Sequence, residues 1–506
     1  MRQIAMLLLA AAASTGSAAG IRDEAIKCIK AGDFGTLQSV TDRPFASASL
    51  DIRLRDSVET AEEVDWSILL RSVSLGQVRR VSATGGQPFL LWLADHPDAL
   101  SDYIHGGANG EVCPRSFDVW RLIWHECPES REDGPWRRFA IASALVQAQP
   151  INAMATGRPI DAVDRFRFYK QSADAGALVP SFFTTPVWKL RYVAGSWAID
   201  SDLTWVRTAM KPEIRNQLSV GDACMMVPYI EKNAKGVSVQ EGSKFYDDKP
   251  MTLKLMTEYG GVCGAIARFG ASSCQALGVP SFPVAQPGHC AFVWENADSS
   301  WRLGNDVYGW GASSQHEGIR IMWGARPTFI PLYDMARRDE KAFLLADRLM
   351  YASAVSSNKV YDLRAAVAAC PLFLPAWWQL VGLEPMRFNQ AVRALGVSPC
   401  AVAEVCHDMR GDQYLVAVTA IADASSAPQL GTQTWATLEI VSAKLRQATG
   451  ARLDVFAVLQ CNTKRFKWSG MDGASQAIVA AAIKAAGNRT DITAQLEKLL
   501  PDRGAK

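Results

Sequence analysis

Tyr259-Gly260-Gly261-Val262-Cys263-Gly264-Ala265-Ile266-Ala267-Arg268-Phe269 is the stretch that decides how this chain is read. It continues through Ala276-Leu277-Gly278-Val279-Pro280 to Gln286-Pro287-Gly288-His289-Cys290-Ala291-Phe292-Val293-Trp294. A glycine turn feeds a helix carrying Val262, Ile266, Phe269, Cys274 and Leu277, and Gly278 with Pro280 stops it. Cys263 therefore falls at a helix start, where unpaired backbone N–H groups and the positive end of the dipole stabilise a thiolate. Gly260, Gly261 and Gly264 leave room for a substrate backbone beside the sulfur. His289 opens a β-type run after a Pro-Gly turn and is the candidate general base, then general acid, for that thiol. A third, polar member that fixes the histidine tautomer is expected on the next run, Trp301-Arg302-Leu303-Gly304-Asn305-Asp306. Strand alternation puts Asn305 on one face with Trp301 and Leu303.

Other residues near this stretch read as packing. Cys274 lies three helical turns beyond Cys263 on the same face, and Cys290 points to the opposite side of its strand from His289. Gln286 and Tyr259 are weaker candidates for an oxyanion site, with turn and packing roles preferred.

The pattern changes on either side. Between about 216 and 333 glycine and proline concentrate and short β-type runs appear, which predicts a compact α+β core. Residues 20–215 are mostly helix-like, broken at His96-Pro97, Gly106-Gly107, Gly134-Pro135 and Thr184-Thr185-Pro186, and their Trp92, Trp120, Trp124, Trp136 and Trp188 suit packing faces. Residues 334–506 read as helical again. Within them Ala342 to Tyr351 and Tyr361 to Ala369, followed by Cys370-Pro371 and Ala376-Trp377-Trp378-Gln379-Leu380, resemble one tetratricopeptide-type helical hairpin. At the other end, Arg2, the apolar run Ile4 to Ala13 and Ser17-Ala18-Ala19 read as a signal peptide over 1–19, which predicts a secreted or periplasmic protein with no membrane span after cleavage.

Gly-Gly-Val-Cys-Gly before a helix, Ala-Leu-Gly-Val-Pro, Gly-His-x-Ala-x-Val-Trp and Trp-x-x-x-Asn-Asp together resemble the catalytic core of the transglutaminase-like superfamily. The match spans roughly fifty residues of the 506. It implies a papain-like α+β fold and a Cys-His-Asp triad, with Cys263 as nucleophile and His289 as base. The third place falls on Asn305 or Asp306: Asn305 stands four after Trp301, where the family carries its acid, and Asp306 keeps the usual chemistry and is slightly preferred. The fold expected is thus α+β, predominantly α, with a transglutaminase-like core between helical N- and C-terminal regions.

The activity implied is acyl transfer through a thioester, with hydrolysis of a peptide, protein or cell-wall amide favoured because shielding a thioester from water needs an enclosed site. Two alternatives stand beside it: amine transfer by the same thioester, and an inactive core that binds peptides or envelope proteins within a helical scaffold. No cofactor is expected. A metal held by Cys263, His289 and Asp306 lacks a fourth ligand at recognisable spacing.

Composition narrows the partners. With 53 Lys+Arg against 51 Asp+Glu and only six histidines, the chain has no basic footprint for neutralising phosphates, so nucleic acid is not expected. Eleven cysteines without a CxxC pair argue against a disulfide scaffold and a structural zinc site, although Cys28, Cys113, Cys127, Cys224, Cys370, Cys400, Cys406 and Cys461 are available for pairing in an oxidising compartment.

Overall fold

The computed structural model describes residues 20–379 apart from 48, 108–109, 311–312, 317–318, 324–326, 328, 371, 374 and 377–378, together with the backbone of two later strands. The proposed signal peptide and the residues after 421 lie outside the described residues, as does much of the Cys370 to Leu380 segment. The fold is α+β and predominantly α. No helix among the described residues is long and apolar enough to cross a membrane.

The N-terminal helices are α1 (Ile21–Ala31), α2 (Phe34–Thr41), α3 (Leu50–Asp56), α4 (Val58–Val73), α5 (Leu75–Val81), α6 (Gln87–Asp95), α7 (Pro97–His105), α8 (Pro114–Glu126), α9 (Pro135–Val146), α10 (Ala162–Asp174), α11 (Val187–Ala194) and α12 (Asp200–Ala209). Their boundaries follow from sequence chemistry. Proline occupies the first position of α7, α8 and α9, where its missing N–H costs nothing. Ser57 and Asp161 cap α4 and α10 by accepting from Thr60 N at 3.1 Å and Val163 N at 2.8 Å. The tryptophans pack as expected: Trp120 and Trp188 are buried, and Trp92, Trp124 and Trp136 lie half-buried against the same core.

After these come α13 (Leu253–Tyr259), α14 (Cys263–Ala276), the strands β1 (Ser281–Gln286), β2 (His289–Glu295), β3 (Trp301–Gly304) and β4 (Ser314–Gln315), then α15 (Phe329–Ala336), α16 (Glu340–Val355) and α17 (Lys359–Ala369). The strands form an antiparallel sheet in the order β3-β2-β1-β4. Its two faces enter different cores. Phe282, Val284, Ala291, Val293 and Trp301 join the large core shared with the N-terminal helices, α16 and α17, whereas Phe292 and Trp294 pack with α14, α12 and the 3-10 helix Val220–Met226. Helix α14 can lie this close to β2 because Gly270 faces Phe292; a Cβ there would fall 2.5 Å from the ring.

Helices α16 and α17 form the antiparallel hairpin that the sequence suggested, with Asp339 capping α16 through Ala342 N at 3.1 Å. The region after 334 is not helical throughout, however. Strands β5 (Cys400–His407) and β6 (Tyr414–Ile421) pair antiparallel in register from Cys400↔Ile421 to His407↔Tyr414. Both segments are rich in β-branched valine, including Val402, Val405, Val416 and Val418, which favours a pleated strand over a helix.

Candidate active site around Cys263

Cys263 is the first residue of α14, directly after Val262, which makes no side-chain cap. Val262 O accepts from Ala265 N at 2.9 Å and Ile266 N at 3.2 Å, so the helix begins cleanly and the earliest N–H groups stay outside its own ladder. The preceding glycines are anchored rather than loose. Gly261 N donates to Pro228 O at 3.0 Å and Ile230 N donates to Gly261 O at 2.9 Å, forming a parallel bridge between Tyr229 and Gly261. The Cys263 side chain is half-buried and its sulfur is a free thiol.

His289 opens β2 opposite Gln286, across the turn made by Pro287 and Gly288 (φ 66°). Its Nε2 lies 2.6 Å from the main-chain oxygen of Asn305. A carbonyl only accepts, so Nε2 carries the proton and the lone pair of the neutral ring sits on Nδ1. The ring meets Tyr308 edge-on at 6.2 Å.

Asn305 ties the arrangement together. Strand β3 ends at Gly304 and Asn305 adopts a left-handed conformation (φ 52°), so the alternation expected to align it with Trp301 and Leu303 does not reach it. In this geometry its Nδ2 donates to Cys290 O at 2.8 Å and Cys263 O at 3.3 Å while its own carbonyl receives His289. One asparagine thus joins the start of α14, the start of β2 and the end of β3. Asparagine tolerates the left-handed region better than most residues with a side chain.

Asp306, the slightly preferred third member, is engaged elsewhere. Its Oδ1 accepts from Gln286 Nε2 at 2.6 Å, Gly309 N at 2.8 Å and Tyr308 N at 3.1 Å, the pattern of an Asx turn. The group that orients His289 is therefore the Asn305 backbone carbonyl. Among the described residues no hydrogen bond joins His289 to Asp306 or to the Cys263 thiol. Gln286 is buried and also donates to Ser313 Oγ at 2.9 Å, and Tyr259 donates to Asp247 Oδ2 at 2.7 Å while accepting from Lys249 at 2.9 Å. Both hold loops, in keeping with the turn and packing roles preferred for them.

The sequence reading missed Cys290 as a neighbour of Cys263. Cys290 does lie opposite His289 on β2, but its face, shared with Phe292 and Trp294, is the one that meets α14. Burial pushes its thiol pKa up, the adjacent Cys263 adds to this, and Arg268 opposes it. Cys274 is fully buried in the same core, and desolvation holds its thiol far above the ordinary range, as befits a packing residue. Cys28, Cys113, Cys127, Cys224, Cys263, Cys274, Cys290 and Cys370 are all free thiols. The described residues contain no cluster of three or more His, Cys, Asp or Glu able to hold a metal.

Two large side chains near the site are exposed. Tyr229, beside Gly261, is 63% exposed, and Val307, after Asp306, is 57% exposed. A cavity of about 640 Å³ lies elsewhere: it opens between α7, α16 and the segment around Met322, and is lined by residues including His105, Trp323, Tyr333, Phe343 and Asp347.

No family model matches the chain, and no curated protein or solved structure matches it.

Proposed function

We propose that the chain is an exported cysteine-dependent acyl-transfer enzyme with a transglutaminase-like core. The observation that carries this reading is the hydrogen-bonded unit in which Asn305 links Cys263 at a helix start to a histidine whose Nε2 is fixed as the proton-bearing atom. The free Nδ1 lone pair of such a ring accepts the thiol proton, and the helix N-terminus favours the resulting thiolate. The thiolate adds to an amide carbonyl, the imidazolium returns its proton to the leaving amine, and a thioester remains on Cys263. Water, activated by the same histidine, hydrolyses it. Peptide, protein or cell-wall amides are the substrates this chemistry suits. Hydrolysis is the favoured outcome and amine transfer the alternative.

A second reading has its own support. Asp306 is consumed by Gln286 and two backbone amides, and His289 makes no hydrogen bond to the thiol. A core in which the third acid is diverted suits an inactive scaffold that binds peptides or envelope proteins.

A p-nitrophenyl acyl ester separates the readings. An enzyme releases a burst of nitrophenolate equal to the protein present, carries the acyl group on Cys263 by peptide mass mapping, and retains it longer in His289→Ala. No burst and no acyl-Cys263 would remove the enzyme reading. Partition of the acyl group between water and an added primary amine decides between hydrolysis and transfer.

A further inference from the structure

Two thiols meet at the first turn of α14. Cys290 projects from the face of β2 that packs on this helix, and a Cβ placed on Gly264 would stand 4.0 Å from its sulfur. The Cys263 thiol lies near enough to add to the upward shift that burial imposes on the Cys290 pKa. Asn305 Nδ2 donates to the main-chain carbonyls of both residues, so a single nitrogen holds the two backbones together. Both side chains are half-buried and reachable, whereas Cys28, Cys127, Cys224, Cys274 and Cys370 are buried.

We propose that Cys263 and Cys290 form a redox couple that small-molecule disulfides convert to an intramolecular disulfide, closing the site until a thiol reductant reopens it. The steps balance without a further reactant. The Cys263 thiolate attacks one sulfur of glutathione disulfide, breaking its S–S bond, forming a mixed disulfide and releasing one glutathione thiolate. Cys290, deprotonated, then attacks the Cys263 sulfur and expels the second glutathione thiolate. Two protein thiols are oxidised, one disulfide is reduced to two thiols, and the two protons lost by the cysteines go to the two leaving groups. The environment sets the order of attack. Cys263 stands at the start of α14, where the helix favours a thiolate, whereas Cys290 is disfavoured by burial and by the neighbouring Cys263, so Cys263 acts first. Once Cys263 is capped its opposing charge is gone, and Arg268, positioned over the Trp197 ring at 5.5 Å, favours the Cys290 thiolate.

The test is to treat the full chain with glutathione disulfide at neutral pH, alkylate the remaining thiols and map the peptides. The expected result is a peptide pair cross-linked through Cys263 and Cys290, both lost to alkylation and both recovered with dithiothreitol. Cys290→Ser is expected to hold one glutathione on Cys263, and Cys263→Ser to leave Cys290 unmodified. A stable glutathione on Cys263 in the unaltered chain, with Cys290 still open to alkylation, would overturn the proposal, as would no reaction at either residue. The unaltered chain gives the answer even if a variant fails to fold. The readout is thiol state, not acyl transfer, so this result and the ester-burst result stand or fall separately.

Discussion

The chain carries two clusters of polar side chains built in opposite ways. At the junction of α4, α7 and α16, Asp65 receives Arg348 through two contacts of 2.7 Å and His105 at 3.0 Å, while His105 also reaches Asp347 at 2.6 Å. His105 and Asp65 are buried there, and each strong donor or acceptor has a partner. Around Cys263 the contacts go largely through backbone carbonyls, the side chains are half-buried, and the Cys290 thiol is a neighbour. The difference teaches how to sort polar clusters. A fully paired buried cluster straps distant helices together, and a partly satisfied one at a helix start is where a reactive atom is to be sought.

The largest effect expected from breaking this contrast is at the nucleophile: Cys263→Ser abolishes acyl capture from the ester while leaving the urea unfolding midpoint close to that of the unaltered chain. The reverse pattern is expected from Asp65→Ala, which leaves Arg348 and His105 buried without their carboxylate. Breaking a buried pair of this kind costs about 3–5 kcal/mol, read by urea denaturation, with the intrinsic reactivity of Cys263 in the folded fraction unchanged.

A pH series sharpens the same contrast. Burial opposes a charge on His105, but Asp65 and Asp347 outweigh it and hold its pKa above the ordinary value. The protonated ring therefore stabilises the fold fully below the unfolded-state histidine pKa, and that contribution is lost as pH rises through the higher folded-state value. The stability gap between the unaltered chain and His105→Gln should narrow over that rise; a gap that widens would contradict the assignment. The smallest effect is expected at Asp306. Since Asn305, not Asp306, receives His289, Asp306→Asn should change the alkylation rate of Cys263 by about twofold at most, the scale of a substitution outside a critical contact. A loss of a hundredfold would restore Asp306 as the orienting acid.

Much of this organisation was legible where local chemistry decides it. Gly260-Gly261 and Gly278 with Pro280 bracket α14, Pro287-Gly288 turns the chain into His289, and Pro97 and Pro135 mark helix starts in the N-terminal region. What was not legible depends on long-range packing. Asn305 turns left-handed directly after Gly304, where β3 packs so closely on Phe292 that a Cβ would lie 2.3 Å from the ring; asparagine's tolerance of that conformation was the one local hint. The role of Cys290 depends on which face of β2 meets α14. Its alternation with the bulky Phe292 and Trp294, against Ala291 on the other face, was the available clue. The Asp65–Arg348 pair joins residues 283 apart, beyond any spacing rule. In the C-terminal region, read as helical from 334 to 506, the valines within the β5 and β6 segments favoured the strands that form.

We propose that Cys263 is a thiol activated by a histidine that Asn305 holds in one tautomer. This is tested most directly by the rate at which iodoacetamide labels each cysteine of the folded chain at neutral pH, by timed quenching and peptide mapping. The account predicts that Cys263 is labelled faster than every other cysteine and that His289→Ala slows its labelling at least tenfold, the loss of about 1.4 kcal/mol. Labelling of Cys263 at the pace of the other accessible thiols, unchanged by His289→Ala, would contradict it.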